Sequence, residues 1–255
     1  MDWCVRLRKP LLDGESNPAA ASVRPGGVAH NVWRALRLVG ADAQLVSLPA
    51  HDSRFYVAIE HGDGSLAHGI ACLDAYEQLN AAFLSQHMEL AAAADVLVAD
   101  GNCTPDFFAA LPTHACLALV AVSPAKMRRM ADALGKASWL FCNRAEFREL
   151  QAISGHLGAH VADHLKLVET RGKDGLTLHW RGQIHNFPAP QIDVAEIDET
   201  GMGDAMAACI LAHVTRAEPV QAVSHGLRQF PSVLTQLVAN ATSSYPSEGP
   251  SEGPS

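Results

Sequence analysis

Apolar and polar residues follow two different periods along this chain, and these periods separate predicted strands from predicted helices. Short, continuous apolar runs recur from residue 96 onward, and stretches with helical spacing lie between them. The predicted strands are 96–99, 116–122, 138–142 and 165–169, and the predicted helices between them include 125–134 and 144–153. Continuous apolar strands that alternate with amphipathic helices are typical of a parallel sheet covered on both faces. The pattern therefore predicts an α/β domain.

The first part of the chain has a different pattern. Strands are predicted at 43–48, 55–60 and 66–72, with a short edge strand within 5–12 and a helix over 28–39 that ends at Gly40. The link 49–53 is too short for the crossover that joins neighbouring parallel strands. We therefore expect strands 43–48 and 55–60 either to pair antiparallel or to belong to different sheets.

The remaining segments complete the predicted order. Residues 74–93 are mostly helical with a break near Asn80, and strands 176–180 and 183–187 form a hairpin. A last strand at 192–197 precedes predicted helices at 203–215, 218–229 and 233–240. From residue 245 the chain repeats Pro-Ser-Glu-Gly. We therefore expect one domain over 1–242 and a disordered, low-complexity tail over 243–255.

Composition limits the partners of such a domain. The net charge is −8 and no Lys/Arg cluster is present, which argues against nucleic acid as a main partner. No apolar run is long enough to cross a membrane, and the first residues lack the apolar core of a signal peptide. Six scattered cysteines without Cys-x-x-Cys spacing indicate buried free thiols. We expect a cytoplasmic protein.

The stretch 198–205 carries the most specific candidate chemistry. Gly201 and Gly203 allow backbone N–H groups to crowd together just before an apolar helix, and Asp204 lies in the first turn of that helix. The N–H groups of a first helical turn lack partners within the helix and attract anions such as phosphate. A carboxylate at this place is suited to take a proton from an attacking hydroxyl. By itself, the pattern also fits a plain turn with an Asp near the N-cap.

Other polar residues lie at helix starts and strand ends. Gly26 and Gly27 precede the first helix, whose Asn31 is positioned to reach back toward a ligand. Asn143 and Glu146 fit a capping box or, alternatively, a carboxylate near metal-bound phosphates. Ligands of parallel sheets bind at the carboxyl ends of the strands, where Asp100, Asn102, Pro124, Lys126 and Asn143 also lie. His160 and His164 have metal-pair spacing but no evident third ligand, so we do not expect a metal there.

Four motifs in one order resemble the ribokinase-like (PfkB) family of carbohydrate and nucleoside kinases, over most of residues 2–240. They are Gly26-Gly27 with Asn31, Asn143-x-x-Glu146, Thr170-Arg171-Gly172-x-x-Gly175, and Asp198-x-Thr200-Gly201-x-Gly203-Asp204. Within the family, the stretches 16–18, 25–32, 69–77 and 123–126 are most similar to pseudouridine kinases. The resemblance implies a three-layer α/β fold with a mostly parallel central sheet, and a small β lid from residues 2–24 and 54–72.

The resemblance also implies an activity: ATP-dependent, Mg²⁺-assisted phosphorylation of a ribose 5′-hydroxyl, with pseudouridine as the first substrate to test. Asp204 would be the general base, and the N–H groups of Gly201, Met202 and Gly203 would form the anion hole. Asp2, Gly26, Gly27 and Asn31 would hold the ribose. Asn143 and Glu146 would act near Mg²⁺ and the phosphates, with Glu146 an indirect metal ligand, while Thr170 and Gly172 would line the nucleotide. A monovalent cation and a homodimer formed through the lid are further implications.

The chain also departs from the family pattern. Near 48–54 it lacks the helix and strand that the family usually has, and the strand that normally precedes Asp2 is absent because the chain starts there. Glu199 and Met202 replace the usual Thr and Ala, and His30 replaces the Arg usual in pseudouridine kinases. Two alternatives therefore stand beside a pseudouridine kinase: a kinase of the family for a free sugar such as ribose, and an inactive remnant that binds nucleotide.

Overall fold

Two separate sheets organise the fold. The computed structural model describes residues 2–48, 55–62, 66–72, 74–154, 163–192 and 201–242. Within these residues, the central sheet has six strands in the order β10-β9-β8-β7-β6-β5, and a small sheet has four in the order β2-β1-β3-β4. The small-sheet strands are β1 (Asp2–Leu7), β2 (Ala19–Arg24), β3 (Phe55–Glu60) and β4 (Leu66–Cys72).

The central sheet is mostly parallel, as predicted. Its strands are β5 (Leu97–Asp100), β6 (Leu117–Val120), β7 (Trp139–Asn143), β8 (Lys166–Thr170), β9 (Leu176–Trp180) and β10 (Gln183–Phe187). Strands β5 to β8 pair in parallel, while β9 and β10 add an antiparallel hairpin at one side. Because parallel strands end at the same edge, the carboxyl ends of β5, β7 and β8 share one rim of the sheet.

Helices cover both faces of this sheet and make three layers. In the described part of the chain the helices are α1 (Val28–Leu38), α2 (Ala81–Gln86), α3 (Met88–Ala93), α4 (Pro105–Ala110), α5 (Ala131–Leu134), α6 (Arg144–Ser154), α7 (Met202–Leu211) and α8 (Pro219–Thr242). Short 3-10 turns occupy 74–78, 124–130 and 172–174.

Strand β6 shows how one apolar run serves two cores. Leu117 and Leu119 pack in one buried cluster with α4 and α5, and Ala118 and Val120 pack in the other with α1, α7 and α8. Successive side chains of a strand point to opposite faces, so a strand buried on both sides must be apolar throughout. The predicted three-layer fold is confirmed.

The small sheet confirms the predicted β lid and corrects one detail. Strand β1 pairs antiparallel with β2 and parallel with β3, so it is an interior strand rather than the expected edge strand. Strand β3 also pairs antiparallel with β4. The two neighbouring strands satisfy the backbone N–H and C=O groups of β1 on both sides. This pairing explains why β1 forms a strand although its apolar and polar residues alternate only weakly.

The predicted strand at 43–48 is wrong. These residues belong to no strand, although Leu48 packs in the same core cluster as Leu79 and Leu84. The indole Nε1 of Trp33 donates to the carbonyl of Ala43 over 3.1 Å and fixes the start of the segment beside α1. A strand requires a neighbour for its backbone, and the described residues provide none here.

The two predicted C-terminal helices are one. Helix α8 continues through Pro231, whose carbonyl accepts a hydrogen bond from the Thr235 hydroxyl over 3.0 Å. Proline removes one helical donor, but Phe230, Val233 and Leu234 are buried on both sides of it. This shared burial holds the helix continuous. The predicted break near Asn80 is confirmed, since Asn80 is the N-cap of α2. The predicted helix over 125–134 is instead divided into the 3-10 turn 124–130 and α5.

Candidate active site

Helix α7 begins at a left-handed glycine. Gly201 is the N-cap, with φ +85° and ψ 0°, and its carbonyl accepts the N–H of Ala205 over 2.9 Å. The helix after it is buried along residues 205–211. A Cβ on Gly203 would contact nothing within 4 Å, so space is open beside the first turn. Helix geometry leaves the first-turn N–H groups without acceptors inside the helix, which makes this open end suited to an anion.

Asp204 is held from the first helix of the chain. The Asn31 side-chain Nδ2 donates to Asp204 Oδ2 over 2.8 Å. A Cβ on Gly201 would lie 3.1 Å from the same Asn31 nitrogen. Glycine at 201 therefore supplies both the positive φ and the space in which Asn31 reaches the carboxylate. The structure therefore brings Asn31, Gly201 and Asp204 together.

The start of α1 approaches the 3-10 turn that precedes α2. Gly27 is the N-cap of α1 with φ +99°, and a Cβ there would lie 3.4 Å from the Tyr76 hydroxyl. The carbonyl of Gly27 accepts the N–H of Asn31 over 2.9 Å. The first turn of α1, which begins at Gly27, therefore fixes the position from which Asn31 reaches Asp204.

Asp100, at the end of β5, caps α1 from another element. Its Oδ2 accepts the N–H of Ala29 over 3.0 Å, and its Oδ1 accepts the N–H of Asn102 over 2.8 Å. Burial raises the pKa of Asp100, although both hydrogen bonds favour the carboxylate. The carboxylate lies at the positive end of the α1 dipole. The sequence placed Asp100 at a strand end but gave no sign of this contact with α1.

Lys126 joins the cluster of polar residues formed by Asp100 and Asn102. Its Nζ donates to Asn102 Oδ1 over 2.5 Å and lies 5.7 Å from the centre of the Tyr76 ring. Burial lowers the pKa of the Lys126 ammonium. A half-buried cation, an amide and a phenol ring thus lie near Gly27 at the rim of the sheet. Tyr76 is the member that sequence analysis missed, because nothing in its local pattern separates it from a core aromatic residue.

The residues expected to bind nucleotide lie on neighbouring strands. Asn143 and Thr170 are register partners in the β7–β8 ladder. Asn143 Oδ1 accepts the N–H groups of Ala145 and Glu146, and Glu146 Oε2 accepts the N–H of Asn143 over 2.7 Å. This reciprocal pair is the predicted capping box. Burial raises the pKa of Glu146.

A tight turn follows β8. Gly172 and Gly175 both have positive φ, and Arg171 N–H donates to the Gly175 carbonyl over 2.8 Å. Arg144, at the start of α6, forms ion pairs with Asp174 at 3.2 Å and with buried Glu169 at 3.9 Å. Arg144 therefore ties the start of α6 to this turn, a link that spans about thirty positions and is not visible in the local sequence.

Some predicted site residues are not described. Asp198 and Thr200, the strand at 192–197 beyond its first residue, His160 and the tail over 243–255 lie outside the described residues. For Asp2, only the backbone, in β1, is described. Among the described residues, no group of three His, Cys, Asp or Glu side chains is arranged to hold a metal, and no helix is long and apolar enough to cross a membrane. The six cysteines are free thiols, of which Cys103, Cys142 and Cys209 are buried.

The chain is similar to known kinases in sequence and in fold. Residues 73–226 match the model of the pfkB family carbohydrate kinases. The chain is 27% identical over 233 residues to pseudouridine kinase from Escherichia coli, which covers 76% of this chain and 74% of that protein.

Two solved structures share the fold. Nucleoside kinase from Burkholderia thailandensis, in complex with inosine, superposes with a TM-score of 0.67 at 17% identity, covering 92% of this chain and 86% of its own. Ribokinase from Cryptococcus neoformans, in complex with ADP, has a TM-score of 0.67 at 16% identity, covering 94% of this chain and 96% of its own.

Proposed function

Because the chain belongs to the pfkB family of carbohydrate kinases, we propose that it transfers the γ-phosphoryl group of ATP to the ribose 5′-hydroxyl of a nucleoside, with pseudouridine as substrate. The hydrogen bond between Asn31 and Asp204 at the start of α7 is the observation that carries this proposal. It orients a carboxylate beside a helix N-terminus, where a hydroxyl and a phosphoryl group are expected to meet.

The proposed reaction divides the work among few groups. Asp204 takes the proton of the 5′-hydroxyl while the oxygen of that hydroxyl forms a bond to the γ-phosphorus. The bond from that phosphorus to the bridging oxygen breaks, and ADP leaves. The N–H groups of Gly201, Met202 and Gly203 stabilise the charge that develops on the phosphoryl oxygens. The space beside Gly203 supports this role for the helix end.

The substrate side is assigned to the glycine pair. We propose that Asp2, Gly26, Gly27 and Asn31 hold the ribose, a role supported by the hydrogen bond that places the Asn31 side chain beside Asp204. A nucleoside rather than a free sugar is supported by the identity to pseudouridine kinase and by the fold shared with a nucleoside kinase that binds inosine. Ribose stays the alternative substrate.

The nucleotide side is assigned to the β7–β8 rim. We propose that Asn143, Glu146, Thr170 and Gly172 line the nucleotide, a role supported by the register pair of Asn143 and Thr170. The ribokinase with a similar fold binds ADP. Glu146 is engaged in a cap, which fits an indirect contact with Mg²⁺ through water rather than direct coordination. When bound, Mg²⁺ neutralises phosphate charge.

We further propose a homodimer formed through the small sheet. Val23, Trp3, Val57 and Ile70 are successive register partners across its four strands. Trp3, Val23 and Ile70 are 44%, 44% and 53% exposed. A row of exposed apolar side chains across one sheet face is typical of an interaction surface. A second copy of the same sheet would cover it with matching chemistry.

The deciding experiment measures ADP release from the purified protein with Mg²⁺-ATP. Pseudouridine, uridine, adenosine and ribose are compared in parallel, together with Asp204→Asn and the control Asp42→Asn, whose side chain is almost fully exposed. We expect release with pseudouridine that Asp204→Asn reduces by about a thousandfold or more, as for loss of a general base. Asp42→Asn should keep full activity.

Other outcomes would change the proposal. Release with ribose alone would keep the chemistry and replace the substrate. Absence of release from protein that is folded by circular dichroism would contradict the proposed activity and favour a nucleotide-binding remnant.

A further inference from the structure

Lys126 is a half-buried cation that the proposed reaction does not use. It lies in the 3-10 turn after β6, and its Nζ donates to Asn102 Oδ1. The centre of the Tyr76 ring lies 5.7 Å from the same Nζ. An ammonium has three N–H donors, and among the described residues only Asn102 accepts one of them. Two donors are therefore left for a ligand.

The nearby carboxylates are held by other donors. Asp100 and Glu77 both attract the Lys126 ammonium electrostatically. Asp100 accepts backbone N–H groups through both of its oxygens, and Glu77 forms an ion pair with Arg129 at 3.0 Å. The hydrogen bonds run in one direction, from Lys126 to Asn102 and from Asn102 to Asp100. This cluster anchors one side of the ammonium, and an acceptor from a ligand would replace the water that the other side loses on burial.

Lys126 is connected to the assigned ribose site through a short series of contacts. Asn31 bonds Asp204, and Gly27 lies one helical turn before Asn31, about 6 Å along the axis of α1. The Tyr76 hydroxyl lies beside Gly27, and Lys126 lies near the Tyr76 ring. In a nucleoside, the base is attached across the sugar ring from the carbon that bears the 5′-hydroxyl. With that hydroxyl at Asp204, the base would extend toward Tyr76 and Lys126.

We propose that Lys126 donates a hydrogen bond to a carbonyl oxygen of the nucleobase and thereby selects a uracil-type base over adenine. Uracil presents two carbonyl oxygens, whether it is attached to the ribose through carbon or through nitrogen. Adenine presents an amino group, which is itself a donor, and an ammonium cannot accept. This inference rests on the proposed function, which places the ribose at Gly27 and Asn31 and the 5′-hydroxyl at Asp204.

A phosphate group is the other acceptor that a lysine commonly binds. The position of Lys126 favours the base. The nucleotide is assigned to the rim of β7 and β8, whereas Lys126 follows β6 and bonds Asn102, which follows β5. In the strand order of the sheet, β6 and β5 lie on the side of β7 opposite β8. An effect of Lys126 on nucleoside binding, without an effect on ATP, therefore distinguishes the two acceptors.

The test compares Lys126→Met with Arg128→Met. Arg128 lies in the same 3-10 turn, and its side chain is 71% exposed, so loss of its ion pair with Glu149 should have little effect. Dissociation constants for pseudouridine, uridine, adenosine and ribose are obtained from the rise of Tm with ligand concentration, without ATP. The Kd of ATP is measured separately in the same way. Because no turnover is needed, failure of the catalytic proposal would not hide the result.

We expect Lys126→Met to weaken the binding of pseudouridine and uridine by about 10- to 100-fold, as for loss of a hydrogen bond from a charged donor. The Kd values of adenosine, ribose and ATP should equal those of the wild type. Lys126→Gln, which keeps an N–H donor without the charge, should lose less. Arg128→Met should bind every ligand as the wild type does. In turnover, Lys126→Met should raise the KM for pseudouridine and keep kcat.

Several results would overturn the inference. Equal weakening of adenosine or ribose would make Lys126 only a support for Asn102. Weaker binding of ATP with unchanged nucleosides would assign Lys126 to a phosphate. Unchanged binding of pseudouridine by Lys126→Met, or a wild type that binds neither pseudouridine nor uridine, would also contradict it. If Lys126→Met is not folded by circular dichroism, the same comparison is decided with Lys126→Gln.

Discussion

At the residue scale, the candidate site depends on a few hydrogen bonds between distant positions. Asn31 orients Asp204, and the N–H groups of Ala29 and Asn102 hold Asp100. Each bond joins a buried or half-buried charge to one donor of defined direction. Substitutions that remove one of these hydrogen bonds are therefore expected to separate the orientation of a catalytic side chain from the binding of substrate.

Asn31→Ala removes the donor that orients Asp204. A hydrogen bond to a charged group contributes about 1.5–3 kcal/mol, so we expect kcat to fall roughly 10- to 150-fold. The KM for ATP should stay unchanged, because Asn31 lies on the side assigned to the ribose. Steady-state kinetics with both substrates measure this effect. Arg37→Ala, an exposed change on the same helix, is the control and should retain kcat. An unaltered kcat in Asn31→Ala would contradict the orienting role.

Glu146→Gln should change the dependence of stability on pH. Burial raises the pKa of Glu146, so the folded state favours its protonated form. Ionisation consequently costs stability as pH rises from the ordinary carboxyl pKa through the raised folded value. Gln avoids this cost and keeps the acceptor for the Asn143 N–H.

Thermal melts of both proteins between about pH 4 and pH 8 measure this difference. We expect Glu146→Gln to melt higher than wild type near pH 8 and to match it near pH 4. A difference in Tm that is constant over this range would show that Glu146 carries the same charge in the folded and the unfolded protein.

At the element scale, the turn between β8 and β9 contains two glycines with different expected roles. Gly175 is expected to be structural, and Gly172 is a candidate for nucleotide binding. A Cβ on Gly175 would lie 2.0 Å from the Phe187 carbonyl, while a Cβ on Gly172 would meet nothing within 4 Å. Both glycines have positive φ. Their replacement by Ala therefore differs in packing, and Gly175 in addition has ψ −139°, which lies outside the left-handed helical region.

Gly175→Ala should destabilise the fold by about 3 kcal/mol or more, which corresponds to roughly 10 °C in Tm, because backbone atoms of β10 must move. Gly172→Ala should cost only about 1 kcal/mol. It should raise the KM for ATP if residue 172 lines the nucleotide. Calorimetry and kinetics on the two variants measure these effects. Equal losses of Tm would mean that the crowding at Gly175 relaxes easily.

Features that depend on the local sequence can be predicted from it, whereas features that depend on contacts with distant residues cannot. The continuous apolar run of β6 indicates burial on both faces, and the capping box of Asn143 and Glu146 is local. In contrast, 43–48 has a strand pattern but no adjacent strand.

The start of α8 was predicted within one residue, but its passage through Pro231 depends on packing around Phe230 and Val233. The site follows the same division. Gly201, Gly203 and Asp204 form a local motif, whereas the contact of Asp100 with α1 arises only from tertiary structure.

At the scale of the whole molecule, the small sheet has an exposed apolar face that a second copy can cover. Trp3 and Ile70 are the largest side chains of its exposed row. Ile70→Lys would place a charge in that row without touching the central sheet. Burial of a charge without a partner is costly.

We therefore expect wild type to sediment as a dimer and Ile70→Lys to sediment as a monomer with a similar Tm. Sedimentation velocity across a range of protein concentrations makes this measurement. Ile184→Lys, at the end of the central sheet, is the control and should stay dimeric. A wild-type monomer at all concentrations would contradict the dimer.

The bond between Asn31 and Asp204 joins residues 173 positions apart. Closing a loop of this length costs roughly 4–5 kcal/mol of chain entropy, more than one hydrogen bond returns. The packing of α1 against α7 must therefore form before the bond is useful. During synthesis, Asn31 leaves the ribosome long before Asp204 is made. Under the proposed mechanism, a product of interrupted translation that ends before Asp204 would carry the residues assigned to the ribose but no general base, and we expect it to transfer no phosphoryl group from ATP.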